Sequence, residues 1–237
     1  MMNRLSIAVI ALLWAMTAAS CHKEVVTPVA PTPADTAADL ADLMEAVDLG
    51  LSVSWASCNV GARTPEEFGH YFAWGEVEPK AYYDWDTYRY CDSCYNALTK
   101  YCLQPKFGVV DGLERLECGD DAAGRRWGGR WRMPTPAETE ELCDSCEWQW
   151  TQVAGVNGYR VTGRNGNAIF LPAAGYSHKD TVFNANGYGY YWQNTLFSTY
   201  SPDALCYSFF DGCYGNTYYS RNIGLTVRAV LPAGSVE

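Results

Sequence analysis

Cysteine carries the most chemical potential in this chain, which has ten of them. The tetrapeptide Cys-Asp-Ser-Cys occurs twice, at 91–94 and at 143–146. Two Cys-x-x-Cys pairs are the donor set of a four-thiolate zinc site. The copies lie much farther apart than the roughly 15–20 residues usual in a zinc ribbon, and the second falls at the end of an expected helix. Disulfides or buried thiols are therefore the stronger reading. Redox catalysis is disfavoured too, because the Asp beside each first cysteine raises a thiol pKa rather than lowering it. Beyond His22 only His70 and His178 remain, with no second histidine at metal spacing, and there is no Gly-x-Ser-x-Gly elbow. Glu76, Glu78, Asp84 and Asp86 supply carboxylates for an acid–base pair. They read better as solvated loop charges or partners of arginine. No catalytic residue, no metal and no cofactor is assigned.

A second kind of chemistry is concentrated near the C-terminus. Residues 183–192 read Phe-Asn-Ala-Asn-Gly-Tyr-Gly-Tyr-Tyr-Trp, and residues 213–220 read Cys-Tyr-Gly-Asn-Thr-Tyr-Tyr-Ser. Rigid amphipathic rings mixed with small polar groups are the composition of a binding paratope. The plain alternative is aromatic filler in a tyrosine-rich chain. Residues 194–236 also contain no Lys, Glu, Gln, Met or Trp, although all five occur elsewhere.

The elements that must position these residues are short. Residues 47–56 read as strand, turn, strand around Gly50, and 68–76 as a strand. Residues 77–120 form a long, aromatic, Asp-rich insertion without periodicity. Thr135, Pro136 and Glu138 form a Thr-x-x-Glu capping box with proline at the first helical position, predicting a helix over 136–146. Short strands follow at 148–153, 159–162 and 168–171, with Asn157-Gly158 and Asn165-Gly166 as tight turns. Residues 204–210 and 224–230 read as the last two strands. The outcome is an α+β domain with at most two helices and short twisted antiparallel strands. Arg125, Arg126, Arg130 and Arg132 are the densest basic group. They alternate with Trp127 and Trp131, and read as Arg–Trp packing within a loop.

The run Trp-Gly-Gly-Arg-Trp-Arg-Met-Pro-Thr-Pro-Ala-Glu from Trp127 resembles the C-type-lectin-like fold, in the branch shared with formylglycine-generating enzymes. Gly155-Val156-Asn157-Gly158-Tyr159, Val161-Thr162-Gly163, Ile169-Phe170-Leu171-Pro172-Ala173-Ala174-Gly175 and Val227-Arg228-Ala229-Val230 extend the match. They resemble the Fibrobacter succinogenes major paralogous domain family of bacterial envelope lipoproteins, over about residues 46–232. Calcium-dependent sugar sites need a Glu-Pro-Asn or Gln-Pro-Asp motif with Trp-Asn-Asp. The nearest strings here, Glu78-Pro79-Lys80, Ser201-Pro202-Asp203 and Tyr191-Trp192-Gln193-Asn194, match none of them, so calcium is not predicted. The enzyme branch implies a copper-dependent oxidase using two late cysteines. The segment from Cys206 to Cys213 does not match its active-site segment.

The five missing residue types are those unreachable when adenines in AAC-type codons are randomised. The chain thereby resembles the variable proteins of diversity-generating retroelements, C-type-lectin-like domains with mutable C-terminal loops. That resemblance implies a ligand face of Tyr207, Phe209, Asp211, Cys213, Tyr214, Asn216, Tyr218, Tyr219 and Asn222. Arg221, Gly224 and Arg228 would be its fixed framework. Tyr214, Asn216, Tyr218, Tyr219 and Asn222 are expected together on one exposed surface near residues 183–192.

The N-terminus reads as targeting. Arg4 and the apolar residues 5–16 are too short for a comfortable membrane span, and Ala18-Ala19-Ser20-Cys21 reads as a lipobox. Residues 1–20 are thus a signal peptide, and Cys21 is the lipidated first residue of the mature chain. Residues 21–45 form a Pro/Ala-rich tether, and residues 46–237 the C-type-lectin-like domain. The net charge of −10 argues against a nucleic-acid partner. The sequence therefore points to an outer-membrane recognition module facing the cell surface, with a periplasm-facing orientation as the alternative. Its partners are the membrane, through the lipid, and a protein or glycan ligand. The alternatives are an envelope enzyme of the formylglycine-generating-like branch and a structural component of a surface filament.

Overall fold

The computed structural model describes residues 45–233. The signal segment, Cys21 and the tether through residue 44 fall outside the described residues. The described chain is α+β. Its elements run β1 (Ala46–Val47), β2 (Val53–Ala56), α1 (Ala122–Trp127), α2 (Pro136–Ser145), β3 (Glu147–Val153), β4 (Val156–Thr162) and β5 (Ala168–Pro172). They continue through β6 (Tyr176–His178), β7 (Thr181–Phe183), β8 (Tyr188–Leu196), β9 (Asp203–Phe210), β10 (Cys213–Ser220) and β11 (Val230–Pro232). Three antiparallel sheets have the orders β1-β2-β11, β3-β4-β5 and β10-β9-β8, and β6 pairs with β7. The first and last strands both flank β2, so the two ends of the described chain meet in one sheet. Among the described residues no helix is long and apolar enough to cross a membrane.

Helix α2 begins where its cap chemistry dictates. The Thr135 hydroxyl accepts from the Glu138 amide at 3.3 Å, and the Glu138 carboxylate accepts from the Thr135 amide at 2.8 Å. The Arg132 guanidinium grips the same carboxylate at 2.8 and 2.5 Å. One short run of sequence thus satisfies the orphan donors of a helix start. The helix then lays Leu142 into a core shared with Tyr159, Val161, Tyr191, Tyr207 and Phe209.

Two buried arginines hold the loops. Arg228 donates to the Asn59 side chain at 2.9 Å and to the carbonyls of Ala56, Ser57 and Phe170 at 3.0, 3.1 and 2.9 Å. Arg221 donates to the Tyr88 hydroxyl at 2.9 Å and to the carbonyls of Tyr101, Ser201 and Lys100 at 2.8, 3.1 and 3.0 Å. Its guanidinium also lies over the rings of Trp74 and Tyr88, at 5.0 and 5.2 Å. The insertion of 77–120 has no regular element beyond 3-10 turns, and this arginine ties it to the core together with the buried Tyr83 and Tyr88, whose hydroxyls donate to the Tyr71 and Trp74 carbonyls. Both side chains are buried with no acidic partner among the described residues, and the four hydrogen bonds each makes offset much of the cost of removing it from water.

The structure corrects several expectations. Residues 68–76 are not a strand. Gly69 and Gly75 sit at φ 72° and 81°, and the backbone pairs in turn with Val60, Leu225 and Arg221. Asn157-Gly158 is no turn but the interior of β4; the β3–β4 turn is Ala154-Gly155, at φ 48° and 85°. Gly158 is required there because a Cβ would lie 2.2 Å from the Leu171 carbonyl oxygen. Within residues 224–230 only Val230 belongs to a strand, Leu225 and Thr226 making isolated bridges. Arg125, Arg126 and Trp127 belong to α1, capped by Asp121. Trp127 meets Trp131 edge-on at 5.3 Å, while Arg126 pairs with Glu78 at 2.7 Å and Arg132 with Glu138, in place of the expected Arg–Trp packing. Finally, of the tyrosine-rich segments, 188–192 lies in strand β8 and 213–220 is strand β10.

Candidate binding surface

Strands β9 and β10 form a hairpin closed by the two-residue turn Asp211-Gly212, with Gly212 at φ 82°. The Tyr159 hydroxyl pins this turn by donating to the Phe210 carbonyl at 3.1 Å and accepting from the Gly212 amide at 3.0 Å. Register fixes what each face carries. Phe209 lies opposite Tyr214, Tyr207 opposite Asn216, and Leu205 opposite Tyr218. On the other face Phe210 lies opposite Cys213, Ser208 opposite Gly215, Cys206 opposite Thr217, and Ala204 opposite Tyr219. Directly paired residues share a face, so the hairpin divides its tyrosines between two surfaces.

The inner face packs on α2 and on the β3-β4-β5 sheet. Tyr207 and Phe209 are buried there, 3% and 1% exposed, against Trp148, Trp150 and Tyr159. Placing them on a ligand face was wrong; their rings are core. At the margin Tyr214 stacks on Trp148, centroids 4.6 Å apart, and Tyr218 stacks on Phe197 at 4.2 Å. Asn216 accepts from Thr139 at 2.8 Å and from Gln193 at 2.5 Å, and donates to the Pro136 carbonyl at 3.2 Å. Its polar groups clamp the start of α2 to the sheet. Asn222 is buried and accepts from Ser220 at 2.8 Å, so it too leaves the ligand list. Tyr214, Asn216, Tyr218, Tyr219 and Asn222 therefore do not share one surface, because alternation sends Tyr219 to the opposite face.

The outer face carries a continuous set of rings. Tyr188 and Tyr190 lie almost parallel, 6.1 Å apart at 10°, and Tyr188 meets Phe210 at 5.2 Å. Tyr190 meets Tyr219 at 5.4 Å and Tyr176 at 5.7 Å, and Tyr176 stacks on Phe183 at 5.4 Å and 22°. Phe183, Tyr188 and Phe210 are 40%, 38% and 43% exposed. Between the rings lie the small, half-buried Ser208, Gly215 and Thr217, with Cys213 exposed at the tip. A Cβ added at Gly215 would meet nothing within 4 Å, so the floor of the platform is open. Gly189 does the opposite work: its missing Cβ would lie 2.1 Å from the Phe209 ring. Tyr188-Gly189-Tyr190 thus sends two rings outward over a glycine that lets the core close beneath them. Burial holds the phenols of Tyr190 and Tyr219 above the usual tyrosine pKa, so both stay neutral.

Of the sequence-derived ligand list, this platform gathers Cys213 and Tyr219, with Asp211 exposed beside it in the turn. It adds Tyr176, Phe183, Tyr188, Tyr190 and Phe210. The alternation of Tyr188, Tyr190 and Trp192 was the available signal for one strand face. Arg221, Gly224 and Arg228 are buried, and two of them are the loop-holding arginines described above.

The other candidates are dispersed. No disulfide joins the nine cysteines from Cys58 to Cys213, and no group of three or more His, Cys, Asp and Glu side chains could hold a metal among the described residues. Burial pushes the Cys143 thiol up to about 11, and Asp144 adds to the rise. Burial also raises the Cys206 thiol beneath the platform. Glu76 is buried rather than solvated, accepting from Lys80 at 2.9 Å and the Arg89 amide at 2.8 Å. Asp84 caps a 3-10 turn. Compared with protein-family models, with curated proteins and with solved structures, the chain matches none.

Proposed function

We propose that this chain is a membrane-anchored recognition module, whose outer aromatic face on the β10-β9-β8 sheet receives a protein or glycan ligand. The observation that carries the reading is the connected set of six rings in which Phe183, Tyr188 and Phe210 are exposed, backed by the half-buried Tyr176, Tyr190 and Tyr219 that pack on the core beneath. Rings already fixed by their neighbours lose little conformational entropy when a ligand covers them. Isolated exposed apolar residues are ordinary, but a contiguous patch marks an interaction site.

In this reading the head has a C-type-lectin-like fold of the major paralogous domain family, and Cys21 anchors it to the outer membrane, facing the cell surface. The support is the capped α2 at the Arg-Met-Pro-Thr-x-Ala-Glu run, together with the lipobox-like Ala18-Ala19-Ser20-Cys21. Retroelement diversification of the C-terminal strands is part of the proposal. It is tested by searching the DNA around the gene for a reverse transcriptase and an adenine-rich near-repeat of the 3′ end.

The ligand surface is tested by placing a photo-cross-linking phenylalanine analogue at Tyr188 or at Arg160, which is exposed on β4. Membranes bearing the full-length protein are irradiated with candidate partner cells. Adducts formed through position 188 and not through position 160 support the reading. Equal yields from both positions, or none from position 188, contradict it.

A further inference from the structure

We infer that the ligand of the platform is a neutral carbohydrate chain, bound by stacking and hydroxyl contacts without a metal ion. The inference rests on the outer face being the ligand surface, as proposed above, and concerns what that surface selects.

Charge is the first argument. The outward positions are Tyr176, Phe183, Tyr188 and Tyr190, then Ser208 and Phe210, then Cys213, Gly215, Thr217 and Tyr219. No Asp, Glu, Lys or Arg stands among them. An ionic group brought onto these positions would lose hydration and find charged or titratable groups only at the rim, in Asp211 of the β9–β10 turn and in His178, Lys179 and Asp180 of the β6–β7 hairpin, His178 lying 6.5 Å from the Phe183 ring. The chain's net charge of −10 further disfavours polyanions.

Hydroxyl content is the second argument. Four of the six rings are tyrosines, and Ser208 and Thr217 lie between them. Within the protein Tyr190 hydrogen-bonds Asn184 and Tyr219 hydrogen-bonds Tyr176, so a wholly apolar partner would bury the hydroxyls of Tyr188, Ser208 and Thr217 without hydrogen bonds, at a cost for each. A neutral sugar chain offers both halves of the match: flat C–H faces for the rings and hydroxyls for Tyr188, Ser208 and Thr217. Shape is the third argument. Tyr188 and Tyr190 form one near-parallel pair and Tyr176 and Phe183 another, so the rings come as two aligned pairs rather than at random angles. The open position at Gly215, on the edge strand β10 beside Ser208, leaves room for a chain to run from the rings across β9 and β10.

The test uses the full-length protein in detergent micelles with EDTA, titrated with laminarin, dextran, mannan and xyloglucan as neutral probes and polygalacturonate as the anionic one. Saturable binding of at least one neutral polysaccharide is expected. It should weaken at least about tenfold in the combined variant Phe183→Ala, Tyr188→Ala, Phe210→Ala, and stay unchanged in Tyr218→Ala. Thermal melts of both variants establish that they fold. Preference for polygalacturonate, loss of binding in EDTA, or no binding of any neutral probe by the wild type would overturn the inference. In that last case position-188 adducts to a protein would leave the recognition reading standing. Equal binding of a neutral probe by wild type and combined variant would overturn both.

Discussion

Tyr218 and Tyr219 are sequence neighbours that stand on opposite faces of β10. Tyr218 stacks flat on Phe197 at the margin of the inner face, 4.2 Å between centroids, whereas Tyr219 meets Tyr176 and Tyr190 on the outer platform at 5.4 Å each. One tyrosine-rich string therefore serves two purposes, and its composition alone does not divide them. The same alternation buries Tyr207 beneath α2 while leaving Phe210 at the surface.

Gly215 gives a test of the open floor. Its added Cβ meets no atom within 4 Å, and valine suits a strand better than glycine. Gly215→Val should leave the melting temperature unchanged or slightly raised while obstructing the platform. Calorimetric melting and ligand titration on the same sample check both parts. A large loss of stability would mean that the floor is occupied by protein.

Thr135→Ala removes the hydroxyl that caps α2. The expected loss is roughly 0.5–2 kcal/mol, read from urea unfolding. The Glu138 amide loses its hydroxyl acceptor in this variant, but the Glu138 carboxylate keeps both the residue-135 amide and Arg132, so the helix should persist in circular dichroism. Disappearance of helical signal would show that the cap is the sole determinant of α2.

Asp203 makes stability depend on pH. Burial raises its carboxyl from 3.8 to about 6. Between those values the native state holds a proton that the unfolded state has released, so this group's contribution falls as pH rises through the window. Asp203→Asn should melt above wild type at pH 7, with the difference closing by about pH 4. A constant difference across that range would remove the buried carboxylate as its cause.

How much of this was legible in the sequence depends on the range of the signal. The cap of α2 is written in adjacent residues, Arg132 through Glu138, and appears where local chemistry puts it. Strands β4 and β5 were found through their buried apolar residues. Strands β8 and β10 were not, because Gly189, Asn194, Gly215 and Asn216 lower strand propensity and resemble loop composition. Gly158 misled for a related reason: close approach to Leu171, not a turn, requires it. Asn222 and Asn216 look like adaptable ligand contacts, yet their partners Ser220, Thr139 and Gln193 are visible only once the hairpin is folded. The platform rings Tyr176 and Phe183 come from β6 and β7, whose position beside β8 no local pattern announces.

Cys21→Ser addresses the anchor, which lies outside the described residues. If Cys21 is acylated, the variant should leave the membrane fraction or remain unprocessed. More than one acyl chain is required, since a single chain anchors only marginally. A wild-type protein already soluble without detergent would contradict the lipoprotein assignment.

The most direct test of the central claim compares two sets of ring deletions, one on the outer platform contributed by β7, β8 and β9 and one on the inner margin of β10. Full-length wild type, the variant Phe183→Ala, Tyr188→Ala, Phe210→Ala, and the variant Tyr214→Ala, Tyr218→Ala are screened against one panel of glycans and surface proteins, with melting temperatures recorded for each. The account predicts that the first variant keeps its fold and loses the ligand, while the second keeps the ligand and loses some stability with the stacks on Trp148 and Phe197. Retention of the ligand by the folded first variant, with its loss in the second, would place recognition on the inner margin and contradict the account.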